Sequence, residues 1–148
     1  MKESAQAAVT LVKGQTERLG IDPLIFEKSD LHIHVPAGAV PKDGPSAGVA
    51  IFASLLSLLT QRTVSNDVAM TGEISLRGLV LPVGGIKEKT VAAARSGIKK
   101  VILPARNRRD LDEIPASVRE TLQFVWAERV DDVIAAAFDG GVPQRAAA

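Results

Sequence analysis

Ser46 closes the turn-rich stretch Pro41-Lys42-Asp43-Gly44-Pro45-Ser46-Ala47-Gly48, which leads straight into the largely apolar segment Val49 to Leu59. A hydroxyl at the start of a buried helix stands beside unpaired backbone N–H groups and the positive end of the helix dipole. Both can hold a developing oxyanion, with the N–H groups of Ser46 and Ala47 as the expected donors. A serine nucleophile also needs a base. Neither histidine is convincingly placed for that task, whereas Lys89, in Gly84-Gly85-Ile86-Lys87-Glu88-Lys89, falls on the inward side of a later helix. At about 100° per residue, Ile86, Lys89, Ala93 and Ser96 share one side of that helix, and Glu88 and Arg95 lie opposite. An ammonium that loses hydration without gaining a carboxylate partner has its pKa lowered, so neutral lysine becomes available to take the serine proton.

Each residue also has an ordinary reading. A serine ahead of a helix is commonly only its cap, and a lysine on a half-apolar face commonly snorkels to solvent. Neither carries the case alone. Asp43 either tunes the site or stabilises its loop by accepting nearby backbone N–H bonds. His32 and His34 share one face of a predicted strand, but no third ligand has recognisable spacing, which favours an exposed or satisfied strand face over a metal site. Gly84-Gly85 reads as a tight turn before a helix more readily than as an anion cradle. No Gly-x-x-x-x-Gly-Lys-Ser/Thr element occurs, so the chain has no nucleotide-hydrolysis loop of that type.

The elements that must position these groups follow from periodicity. Ala5, Ala8, Val9, Val12, Thr16 and Leu19 recur at helical spacing and predict a first helix over Lys2 to Leu19, stopped by Gly20. Leu31, Ile33 and Val35 alternate with the histidines and predict a strand with one buried face. A loop then delivers the chain to a second helix from Ser46 to about Gln61. Asp67 to Thr71 and Ile74 to Leu76 read as strand, and Leu79 to Val83 folds back through Arg77-Gly78 as a hairpin. A third helix runs from about Gly85 to Ser96 and is closed by Gly97, followed by a short strand from Lys100 to Leu103. Asn107 or its neighbours cap a short helix; Leu122, Phe124 and Trp126 alternate as a strand. Val130, Val133, Ile134, Ala137 and Phe138 form the last helical face. From Asp139 onward the apolar pattern is too thin to pack, and a mobile tail over 139–148 is expected.

The 148 residues suit one domain, and 46% of them are apolar, yet only 3% are aromatic. Val, Ile, Leu and Ala must therefore pack the core, and base-stacking nucleic-acid readers are disfavoured. A net charge of +1 supports neither a polyanion-binding surface nor an acidic tail. With no cysteine there can be no disulfide, zinc–thiolate site or iron–sulfur cluster. The longest apolar run is too short for a bilayer span, and Met1 precedes a charged amphipathic segment instead of a secretory h-region. The cytoplasm is the default location.

Three ordered motifs carry a resemblance. Pro-Lys-Asp-Gly-Pro-Ser-Ala-Gly at 41–48, Met-Thr-Gly-Glu-Ile-Ser-Leu-Arg-Gly at 70–78 and Leu-Pro-Val-Gly-Gly-Ile-Lys-Glu-Lys at 81–89 closely resemble the proteolytic domain of ATP-dependent Lon proteases of the soluble A type. The similarity extends over residues 1–138. It implies an α+β fold of mixed small sheets and packed helices, related to a domain of a ribosomal protein. It also implies a serine–lysine dyad with Ser46 as nucleophile and Lys89 as base, at the family's separation. By the same resemblance Thr71 orients the Lys89 amine and Asp43 shapes the approach to the nucleophile. Members act on unfolded polypeptides and assemble as hexameric rings. Their ATP and magnesium are used by an ATPase module upstream, so no cofactor is expected in this chain. The family's ATPase module, its N-terminal substrate-binding domain and the first strands of its proteolytic domain all precede the region matched here. Met1 accordingly resembles an internal methionine of a longer chain.

An extended substrate is expected to pair with the free edge of the strand between Ile74 and Leu81. Two rivals remain in view. A Lon-like domain kept as a non-catalytic scaffold, in ring assembly or DNA repair, would need neither Ser46 nor Lys89 in particular. A small-molecule kinase of the related fold would need a longer glycine-rich loop than this sequence has.

Overall fold

The computed structural model describes residues 1–37, 39 and 44–139. Seven α-helices and five strands follow one another along the described chain: α1 Lys2–Lys13, α2 Thr16–Leu19, α3 Ile25–Lys28, α4 Gly48–Thr60, β1 Val68–Met70, β2 Glu73–Ile74, β3 Val80–Leu81, α5 Ile86–Arg95, β4 Lys100–Pro104, α6 Ala116–Thr121, β5 Gln123–Ala127 and α7 Val130–Ala137. A 3₁₀ segment, Ala105–Glu113, joins β4 to α6. This is the α+β organisation that the resemblance implied.

The centre is a parallel three-stranded sheet in the order β1-β4-β5. Side chains alternate along β4 and so divide the apolar interior in two. Ile102 faces a core built with α1, α4 and α7, where Val12, Phe52, Leu56 and Val133 are fully buried. Val101 and Leu103 face a second core formed with α5, the 3₁₀ segment and α6, through Ile86, Ala93 and Ile114. The apolar face predicted at the C-terminal end is all buried, from Val130 to Phe138.

The hairpin predicted through Arg77-Gly78 forms, but as its own two-stranded sheet, with Glu73 opposite Leu81 and Ile74 opposite Val80. β1 does not join it. The far edge of β3 is occupied, because Val80 N donates to Glu128 O at 2.9 Å and Leu79 bridges Arg129.

Three expectations need correction. The first helix is interrupted: α1 ends at Lys13, and a turn at Gly14-Gln15 separates it from α2, which stops at Gly20 as expected. Thr16 is buried and its hydroxyl bonds Lys13 O at 3.3 Å, a side-chain bond that competes with the continuing helical ladder. Leu31 to Val35 is no strand with a buried face: it has no ladder partner among the described residues, and Leu31, Ile33 and Val35 are 40%, 38% and 39% exposed. A period of two gives one buried face only where a second strand and a core exist to receive it. Asn107 caps nothing; its side chain is buried and bonded elsewhere. Asp139, placed at the start of the tail, accepts a bond from Ser65 Oγ at 2.6 Å, and residues 140–148 lie outside the described chain.

Among the described residues no helix is long and apolar enough to cross a membrane.

Candidate active site

Ser46 lies in a turn just before α4 and not within the helix itself. Ala47 is the residue ahead of the first helical position, and Gly48 N donates back to Pro45 O at 3.2 Å. Val49 N is also engaged, by Gly72 O at 3.1 Å. The N–H groups of Ser46 and Ala47 donate to no backbone carbonyl among the described residues, and both residues line the adjoining cavity. Asp43 lies outside the described residues.

Gly72 fixes this turn from the other side. Its N–H donates to Ser46 O at 2.9 Å while its carbonyl takes the Val49 N–H, a two-point clasp on the segment carrying the hydroxyl. No side chain fits there: a Cβ on Gly72 would lie 2.9 Å from Val80 Cγ1 and 3.2 Å from Val49 Cγ1. The glycine in Met70-Thr71-Gly72-Glu73 is thus required for close approach of backbones.

Lys89 reaches the same place from α5. Ile86 and Ala93 anchor the inward face of that helix, while Glu88 and Arg95 are exposed, as the helical spacing predicts; Ser96 is exposed as well. Lys89 Nζ donates to Thr71 Oγ1 at 3.1 Å, and Thr71 Oγ1 donates to Ser46 O at 3.2 Å. A hydroxyl has one proton. With that proton on the Ser46 carbonyl, Thr71 can only accept from the amine, so the lone pair of a neutral Lys89 is not consumed by Thr71. No hydrogen bond joins Ser46 Oγ to Lys89 Nζ.

Among the described residues no carboxylate pairs with Lys89, and desolvation by burial lowers its pKa below the ordinary lysine value. Ser46, Thr71 and Lys89 line one open cavity of about 590 Å³ whose remaining wall is mostly apolar, including Ala50, Met70 and Leu103, with Thr90 and Ser96 as its other polar residues. The sequence-chosen residues that can be described therefore converge, from two cores, on one space beside the end of β1.

His32 and His34 lie elsewhere, on a second cleft of about 400 Å³ between the extended segment and the outer face of α4. No cluster of three or more potential metal ligands occurs among the described residues. Sequence reasoning passed over Gly72, although its motif was in view, because only the approach of Val80 and Val49 reveals its part.

The chain matches the family model of the Lon protease (S16) C-terminal proteolytic domain over residues 1–140. It is 69% identical over 140 residues to a Lon protease of Methylocella silvestris, an alignment covering 95% of this chain and 17% of the relative. A Lon protease of Phenylobacterium zucineum is 64% identical over 139 residues, 94% of this chain and 18% of the relative. One from Bacillus thuringiensis is 58% identical over 140 residues, again 95% of this chain and 18% of the relative. The chain thus spans under a fifth of the length of these relatives.

Proposed function

Because the chain belongs to the Lon protease (S16) C-terminal proteolytic domain family, we propose that it is the peptide-cleaving unit of an ATP-dependent protease, with Ser46 as nucleophile and Lys89 as general base. The observation that carries this reading is the Thr71 hydroxyl, which bonds the Lys89 amine on one side and the Ser46 carbonyl on the other.

In the first step neutral Lys89 takes the Ser46 proton as the oxygen adds to the substrate carbonyl carbon. The carbonyl electrons move to oxygen, and the N–H groups of Ser46 and Ala47 hold that oxyanion. Collapse breaks the C–N bond, and protonated Lys89 gives its proton to the leaving amine. Water then adds to the acyl-serine ester with Lys89 again as base, releasing the acid and restoring the hydroxyl. Thr71 keeps the amine in place, and Asp43, by the family resemblance, shapes the approach to the nucleophile.

The substrates are unfolded polypeptides. The free edge expected between Ile74 and Leu81 is not available at its centre: the start of α4 packs against β2, where a Cβ on Gly48 would lie 3.1 Å from Ile74 N, and Val80 N on β3 is bonded to Glu128 O. Unfolding, threading and the use of ATP and magnesium fall to a separate ATPase module of the longer protein, acting as a hexamer in the cytoplasm; no residue of this chain is assigned to them.

The test is hydrolysis of an unstructured peptide by the chain and by Ser46→Ala and Lys89→Ala. Both variants should lose activity with unchanged circular dichroism. Cleavage that persists in either would remove the dyad, whereas no cleavage by the unaltered chain would favour a scaffold role.

A further inference from the structure

Asn107 is 1% exposed, the only asparagine or glutamine among the buried side chains of the described residues. Its carboxamide grips a single residue at both backbone groups: Val83 N donates to Asn107 Oδ1 at 3.0 Å, and Asn107 Nδ2 donates to Val83 O at 2.8 Å. The second amide hydrogen goes to Asp110 Oδ2 at 2.6 Å. These partners fix which way the amide points. Flipped, its oxygen would face the Val83 carbonyl and the Asp110 carboxylate, and its NH₂ would face the Val83 N–H. A buried amide so fully satisfied costs little, whereas any change that orphans its partners costs the desolvation of each.

Val83 is the last residue before the two glycines that lead into α5. Gly84 and Gly85 are exposed and have no side chain to hold the backbone; Gly85 takes φ +71°, a region glycine enters freely and other residues rarely do. The start of α5 is therefore located upstream only as well as Val83 is. Lys89 sits one turn into that helix, where its N–H bonds Gly85 O at 3.0 Å and its amine reaches Thr71 at 3.1 Å. The other end of the tie is the 3₁₀ segment that follows β4 directly and packs in the same core as α5.

We propose that Asn107 is a positioning residue for the peptidase reaction: by clamping Val83 it sets the register in which α5 presents Lys89 to Thr71 and Ser46. The proposal rests on the Ser46–Lys89 reading above. Asp110 is the lock on the amide, holding its orientation without touching the site.

The test uses the full chain, an unstructured peptide, and kcat and KM measured separately, with folded fraction followed by circular dichroism. Asn107→Asp replaces both donors by a carboxylate aimed at the Val83 carbonyl and at Asp110. Displacement of the base should lower kcat by about tenfold or more while KM stays within about twofold, since misplacement by about 1 Å can cost up to about a hundredfold. Adding Asp110→Asn restores a donor opposite the new carboxylate and should recover at least about a third of the lost factor on the logarithmic scale that governs barriers. If Asn107→Asp does not fold, Asp110→Ala, which leaves the core amide in place but unlocked, should still lower kcat by about threefold at constant KM. A folded Asn107→Asp variant with wild-type kcat overturns the proposal. So does a loss that only follows folded fraction without recovery in the double variant, or an unfolded Asn107→Asp joined to wild-type kcat in Asp110→Ala. Ser46→Ala separates the two readings. If it stays active the dyad itself fails, and if it is inactive while the Asn107 variants are unaffected, only the positioning fails.

Discussion

The candidate base is defined by what it lacks. Lys89 has no carboxylate partner among the described residues, its amine is held by a hydroxyl whose proton is spent on Ser46 O, and burial lowers its pKa. The pH dependence follows with its sign. With Lys89 as the proposed base the uncharged amine is the working form, so the rate should rise as pH passes upward through the lowered pKa, and that rise should be centred below the ordinary lysine range. The unfolded chain binds this proton more tightly than the folded one, so stability should rise with pH from the lowered pKa up to the ordinary lysine value of about 10.4. Lys89→Met should remove that increment from denaturant midpoints measured from neutral pH to about pH 10.5; an unchanged increment would mean that another group supplies it. Thr71 is tested by shape and chemistry together. Thr71→Val keeps the volume but deletes the hydroxyl, and kcat should fall by about tenfold or more, the effect of about 1.4 kcal/mol at the transition state. Thr71→Ser should keep most of the activity. Equal losses in the two variants would assign Thr71 to packing alone.

The elements bring these residues together because close approach is allowed at one point. Gly72 follows β1 and touches both the turn before α4 and the side chain of Val80 on β3. Gly72→Ala should therefore push the Ser46 turn away from Thr71, costing about 1–3 kcal/mol in overpacking and most of the peptidase activity. A variant with wild-type melting temperature and activity would show that the clasp is dispensable. Much of this was legible in the sequence. The helix bearing Lys89 was marked by its 3.6-residue periodicity and by Gly97, the hairpin by Arg77-Gly78, and the turn before α4 by its glycine and prolines. What escaped were matters of partnership. Leu31, Ile33 and Val35 alternate like a strand, but alternation cannot say whether a ladder partner is present. Asn107 has the chemistry of a cap, and only the three-dimensional neighbourhood of Val83 shows that its amide bonds a distant backbone. The placement of β1 in the parallel sheet, away from the hairpin, depends on a crossover through α5 that local pattern does not encode.

At the scale of the whole molecule, the candidate dyad straddles two cores. Ser46 arrives with α4, packed in the cluster around Phe52 and Leu56, whereas Lys89 arrives with α5, packed in the cluster around Val101 and Leu103. The parallel sheet is the shared wall, and Thr71, whose N–H bonds Ile102 O at 3.1 Å just past the end of β1, is where the two sides meet. The geometry of the site is therefore a property of the assembled domain and not of either helix. Its most direct test is covalent: the full chain is treated with a fluorophosphonate, and the modified residue is identified by mass spectrometry in wild type and in Lys89→Met. An adduct on Ser46 in wild type, lost or strongly slowed in the folded Lys89→Met variant, is the predicted result. Modification of another residue, or equal labelling of Ser46 with and without the lysine, would contradict it.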